Sequence, residues 1–309
     1  MSCAEPARQD LVLRIGGSAG VGWQTNLRVL AGKGVEDFFA EAVPCEGHGL
    51  FSVYRYGDFT VGIAATNFSA ALAETSFRLY KDLLEAARNA HLCRIWNYVP
   101  FINRVSDDGM ENYKAFSRGR SLAFESAYGP SFERCLPAGT AVGTDADNLM
   151  VVFAAHKQAP VHFENPLQVP AYRYPAEHGP RPPSFARASL VPLPGRCCHA
   201  FISGTASIRG HSTVNAGNLA AQLDCTLENL AAIGNRASIG GDLAAGRCAR
   251  RNVKVYLRRD STLSAVRARL HGGFLHPDDH VSFLRADLCR RDLDVEIEVS
   301  LFGVRLPDA

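Results

Sequence analysis

The sequence predicts an α+β protein made of two like units, each a mixed sheet with helices packed on one face. Three observations carry that prediction. Stretches of two-residue alternation interchange with stretches of helical periodicity. The order strand, helix, strand, helix, strand occurs twice. A loop dense in Pro and Gly separates the two occurrences. The 309 residues suffice for two units of ordinary size, expected at 1–160 and 161–309.

In the first unit, "GLFSVYRYGDFTVGIAATNF" alternates as one or two strands. The segment "SAALAETSFRLYKDLLEAARNA" then repeats Leu72, Phe77, Leu79, Leu83 and Leu84 at helical spacing. The strand "LCRIWNYVP" ends at Pro100, and the helix "MENYKAFSRGRSLAFESAYG" ends at Gly129 and Pro130. Strands follow at "TAVGTD" and "NLMVVFAAH". The Gly-rich "RIGGSAG", Arg14 to Gly20, has neither a Walker lysine nor Rossmann spacing, so it is taken as a turn.

From Asn165 to Pro194 the pattern is that of a long loop. A plain linker is poor in aromatics and arginines, whereas this one holds Tyr172, Arg173, Tyr174, Arg181, Phe185 and Arg187. It is expected to be ordered and to line a site. The second unit comprises a strand at "CCHAFISGTASI" and a helix at "NLAAQLDCTLENLAAIG" with Leu219, Leu223, Leu227 and Leu230 on one stripe. Then come the strand "NVKVYLRR", the helix "STLSAVRARLHGG", and the strands "HVSFLRADLC" and "LDVEIEVSLF".

The last strand poses a question. Val295, Ile297 and Val299 share one face, and Asp294, Glu296 and Glu298 share the other. Such an acidic face is either solvated or buried in a cleft. Helices on one side of each sheet leave the other side needing a cover, from the other unit or another subunit, so a cleft is available.

Composition narrows the function. Hydrophobic residues make up 47% and charged residues 21%, the profile of a packed chain, and a net charge of +2 implies no polyanionic partner. With no basic stripe, no membrane-length apolar run and no secretory pattern, neither nucleic acid nor membrane is expected as a partner, and the expected location is cytoplasmic. The nine cysteines are scattered without a CxxC pair, consistent with reduced thiols. Cys197-Cys198-His199 lacks the second half of a metal motif and is assigned to packing. No GxSxG, HExxH or EF-hand pattern is present.

The ordered blocks "GPRPPSFARA", "FISGTASI", "AAQLDCTLENLAAI", "NVKVYLRR" and "VEIEV" resemble the RidA/YjgF family, whose small α+β subunits form trimers with clefts at sheet junctions. Longer blocks resemble the chorismatase family, which fuses two RidA-like units: "RIWNYVPFIN", "ENYKAFSRGRSLAF", "ENPLQVPAYRYPAEHGPRPPSFARAS", "FISGTASIRGH" and "CRRDLDVEIE". The resemblance implies release of pyruvate from the enolpyruvyl ether of chorismate, without metal or organic cofactor. The remaining ring becomes 3-hydroxybenzoate, a mixture of 3- and 4-hydroxybenzoate, or a cyclohexadiene diol. It leaves the assembly as monomer or homotrimer.

That reaction sets requirements. Protonating the methylene carbon of a vinyl ether needs a carboxylic acid still un-ionised near neutral pH. Spacing alone makes Glu296 a surface carboxylate paired with Arg290 or Arg291; by resemblance it matches the family's catalytic glutamate. Glu298 is assigned a structural role. Resemblance also makes Cys289 and Gly204 product determinants, since Cys and Gly in place of Ala and Ala favour 3-hydroxybenzoate. Two carboxylates call for arginine forks. Tyr113 and Arg120, seven apart on a helix, share a face; Tyr174 and Arg181 are seven apart in the loop. One pair is assigned to each carboxylate, with Arg187 a further candidate that braces the loop. His178 departs from the family pattern, which offers Tyr there. A diol-forming hydrolase, a RidA-type imine deaminase and a non-catalytic binding module remain the alternatives.

Overall fold

The computed structural model describes residues 9–16, 21–67, 71–107 and 109–306. The Gly-rich turn expected at Arg14 to Gly20 lies partly outside them. Among the described residues four α-helices form: α1 (Leu72–Ala86), α2 (Asn112–Tyr128), α3 (Leu219–Arg236) and α4 (Leu263–His271). The first sheet runs Val43–Pro44, Ser52–Tyr56, Phe59–Asn67, Asn148–His156, His91–Pro100, Ala138–Thr144. The second runs Val161–Phe163, Ala188–Leu193, Cys197–Ala206, Val295–Arg305, Arg250–Leu257, His280–Arg285, and then Val21–Gly32, Asp10–Ile15 and Val35–Phe39.

The two units share one topology. Numbering the five strands common to both in chain order, each sheet reads 1-2-5-3-4, and within these five strands only the 3–4 pair is parallel. A helix follows strands 2 and 3 in each, packing back onto the sheet. The fold is thus α+β with two fused mixed-sheet units. Two parts were not foreseen. Residues 10–39 extend the second sheet through the pairing of Ser282 with Gly32, so the division at 160/161 does not describe their sheet. The predicted loop also stops short, because Ala188–Leu193 is a strand despite Pro192. Its outer neighbour pairs only as far as Leu190, so the missing Pro192 N–H breaks no ladder bond.

Packing answers the question of the acidic strand. Leu79, Leu83, Phe116 and Phe124 bury α1 and α2 on the outside of the first sheet. On the second, Leu223, Leu230 and Val266 bury α3 and α4 against Val295, Ile297 and Val299. The inner faces meet each other, Trp96, Tyr98 and Met150 opposing Phe201, Tyr256 and Leu284. Burying each such side chain is worth about 1.5–3 kcal/mol, so the aliphatic face is committed to the helices. Alternation then sends Glu296 and Glu298 into the seam between the sheets, under the other unit of the same chain. On the outer face of the first sheet, Gly119 lets α1 and α2 touch: a Cβ at 119 would stand 2.1 Å from the Ala73 carbonyl oxygen.

Candidate active site

The seam opens where the edge strand Ala138–Thr144 crosses Cys197–Ala206. Its backbone is tied across by hydroxyls: Ala138 N donates to Ser189 Oγ (2.8 Å) and Gly139 N to Ser203 Oγ (2.8 Å). Gly204 N in return donates to Thr140 Oγ1 (2.9 Å). Here the ladder slips, Ile202 pairing with Val299 and Thr205 with Ile297, so Ser203 and Gly204 together oppose Glu298. Such a bulge re-aims side chains and commonly borders a functional site. Gly204 also makes room, since a Cβ there would lie 2.0 Å from Glu296 Oε1.

A cavity of about 290 Å³ occupies the opening. Of the eight residues singled out from the sequence, seven line it: Tyr113, Arg120, Tyr174, Arg187, Gly204, Cys289 and Glu296. Arg181 does not; its Nη2 pairs with Glu125 Oε2 at 2.7 Å and fastens the loop to α2. The expected Tyr174–Arg181 pair is thereby corrected. Tyr174 Oη accepts instead from Arg187 Nη2 at 2.7 Å. Seven residues place two side chains on one face of a helix, but not of a loop turned by Pro175, Pro180, Pro182 and Pro183.

Glu296 is 4% exposed and makes no ion pair among the described residues. Burial, and then the negative charge of Glu298, push its carboxyl up to about 8, against weaker pulls from Arg94 and Arg187. It is therefore un-ionised at neutral pH. Glu298 is as buried, yet burial is overcome there by Lys254 and Arg94, which hold it down to about 2. Its oxygens take Arg94 Nη2 at 2.6 Å, Trp96 Nε1 at 2.9 Å and Lys254 Nζ at 3.0 Å, and Lys254 also pairs with Glu36 at 2.6 Å.

Arginines also line the cavity. Arg120 is 2% exposed, and its Nε and Nη2 have no hydrogen-bond partner. Its guanidinium and that of Arg187 lie 5.9 and 5.0 Å from the Phe185 ring. A buried guanidinium without a counter-ion is costly unless a ligand supplies one, which makes Arg120 a candidate for holding an anionic group. Burial raises the Tyr113 phenol, with Cys289 adding to it, so Tyr113 stays a neutral donor. The Cys289 thiol is pushed up to about 12, by burial first and then by Glu296, and is not a thiolate.

Sequence reasoning missed several lining residues. Arg290 and Arg291, taken as surface partners for Glu296, join Lys114 and Thr140 around the cavity. Arg258 lies behind them: it donates to Arg290 O (2.8 Å), Leu293 O (2.7 Å) and Asp287 Oδ1 (3.1 Å), fixing the turn that carries Cys289. The adjacent arginines of "CRRD" were the available signal, but spacing cannot say which way a turn faces. Cys198 is buried, and His199 Nδ1 accepts from Gly303 N at 3.2 Å, consistent with packing. Among the described residues no helix is long and apolar enough to cross a membrane.

Fold and site together define a two-unit α+β protein holding a buried carboxyl of raised proton affinity in a cavity also lined by Arg120 and Arg187. The chorismatase FkbO/Hyg5-like N-terminal family matches residues 40–155. A 3-hydroxybenzoate synthase of Streptomyces hygroscopicus is 41% identical over 224 residues, 70% of this chain and 65% of that relative's length. A chorismatase of Streptomyces rapamycinicus is 34% identical over 85% of this chain and 82% of its own. A crystal structure of a chorismatase superposes with a TM-score of 0.76 at 31% identity, covering 84% of this chain and 79% of the other. The chain belongs to the chorismatase family.

Proposed function

We propose that the chain converts chorismate to 3-hydroxybenzoate and pyruvate, with Glu296 delivering the proton. The observation that carries this reading is that the un-ionised Glu296 and Arg120, a buried guanidinium whose Nε and Nη2 lack partners, line one small cavity. Arg120 and Tyr113 grip one carboxylate of the dianion, and Arg187 with Tyr174 grips the other, in place of the expected pair with Arg181. Glu296 protonates the methylene carbon and leaves an oxocarbenium-like centre at the neighbouring carbon. The Glu296 carboxylate so formed then sits against that cation and stabilises it. Water adds to that centre and the hemiketal collapses, the ether oxygen staying on the ring and the added oxygen becoming the carbonyl of pyruvate; the ring then loses its other hydroxyl as water to aromatise. The hydroxybenzoate and pyruvate together hold every atom of chorismate, so that outcome consumes no net water, whereas the diol takes up one.

Cys289 and Gly204 favour the aromatic product, and the 3-hydroxybenzoate synthase relative supports the same choice. With its proton retained, Cys289 acts as a neutral thiol beside the ring. The test is incubation with chorismate and chromatography of the products. The expected result is 3-hydroxybenzoate and pyruvate in equal amounts, with C289A shifted toward the diol. Chorismate left intact overturns the reading. If E296Q turns over at the wild-type rate, the carboxyl has no catalytic part; if the wild type binds chorismate unchanged, the chain is a binding module.

A further inference from the structure

At the cavity mouth, outside the chemistry above, three side chains converge from two separate segments. Glu177 and His178 belong to the single turn Ala176–His178 of the long loop. His211 sits at the tip of the hairpin formed by Ile208–Arg209 and Ser212–Thr213. His178 Nε2 lies 3.1 Å from His211 Nδ1, and Glu177 Oε1 lies 3.4 Å from each of them. Donors about 2.0–2.2 Å from a tetrahedral ion stand roughly 3.3 Å from one another. A hydrogen bond between the two imidazoles accounts for one of these distances but not for the near-equilateral triangle. The hairpin is held without help from the triangle, Val169 N donating to Gly210 O (2.9 Å) and Gly210 N to Leu167 O (3.0 Å), and the turn closes on itself as His178 N donates to Pro175 O (3.0 Å).

We propose that Glu177, His178 and His211 bind one divalent transition-metal ion of the zinc type, with the fourth position open to water. Two imidazoles and one carboxylate suit such borderline ions better than calcium or magnesium, which prefer all-oxygen sets. Arg290 and Lys114 are the cations facing the site, and they make the Glu177 carboxylate necessary to it; Lys114 Nζ already donates to Glu177 O at 3.2 Å. A bound ion ties the loop to the hairpin beside the Tyr174 ring, which lies 5.0 Å from that of His178 and 6.4 Å from that of His211.

The test is equilibrium dialysis of the chelator-stripped chain against zinc chloride at pH 7.5, with cobalt absorption spectra in parallel. The expected result is one saturable equivalent in the wild type, weakened at least 10-fold in H211A and in E177Q, together with cobalt bands typical of low coordination number. Glu177 has a side chain 65% exposed, so E177Q leaves the fold intact even if H211A does not. No saturable equivalent in the wild type, or one that both variants keep, overturns the site. Neither result depends on chorismate turnover.

Discussion

Glu296 and Glu298 share one strand, one face and nearly complete burial, yet they sit at opposite ends of the carboxylate range. Glu298 faces Arg94, Trp96 and Lys254 and is pinned as an anion. Glu296, one pair along, looks into the cavity, finds no cation in contact, and feels that anion beside it. Burial alone therefore does not set ionisation; the partner decides. The first unit shows how local this is. Its equivalent last strand, "NLMVVFAAH", carries no carboxylate, and the matching topology there has nothing to protonate a substrate.

Removing the acid is the sharpest way to break the contrast. E296Q is expected to lower kcat by about 10²–10⁴-fold, the usual worth of a general acid, with little change in chorismate affinity. Steady-state pyruvate release and a binding titration measure the two separately. Next is the anion subsite. R120M is expected to raise KM by about 100-fold while the melting temperature holds or rises, because an unpaired buried charge is lost. A fall in stability with no change in KM would instead make Arg120 a structural residue.

E298Q is third. It strips Arg94 of its carboxylate, leaves Lys254 with Glu36 alone, and is expected to destabilise the fold by about 3–5 kcal/mol in denaturant titration. In whatever folded protein remains, the pH–rate limb of Glu296 moves toward acid, since the neighbouring anion is gone. The pH dependence of stability separates the two residues further. Glu296 is raised from 4.5 to about 8, so the folded state holds its proton longer, and its contribution to stability declines as pH rises between those values. Glu298, lowered to about 2, stabilises above its ordinary 4.5, and that contribution is lost as pH falls toward 2. The smallest expected effect is that of G204A. Its Cβ displaces the Glu296 carboxyl, cutting the rate by about 10-fold, about 1.4 kcal/mol of barrier.

Much of this was legible before any coordinates. Periodicity located all four helices, and alternation placed Glu296 on the opposite face from Ile297. The resemblance named Glu296, Cys289 and Gly204, and spacing with side-chain chemistry named Tyr113, Arg120, Tyr174 and Arg187; all seven line one cavity. What spacing did not convey was long-range or irregular. The pairing of Val21–Gly32 with His280–Arg285 joins strands some 250 positions apart, and local pattern carries no record of such partners. Arg181 was misplaced because helical spacing was applied to a proline-turned loop. The Lys254–Glu298 pair and the convergence of His178 with His211 depend on how two sheets and two loops meet, which the chain specifies only once folded.

The central claim is that Glu296 keeps its proton at neutral pH in the folded, unliganded protein. Infrared difference spectroscopy of wild type against E296Q across pH 5–10 reads this directly. The account predicts a protonated-carboxyl band at pH 7 that the variant lacks and that titrates away near pH 8. A group already ionised at pH 6 would contradict it.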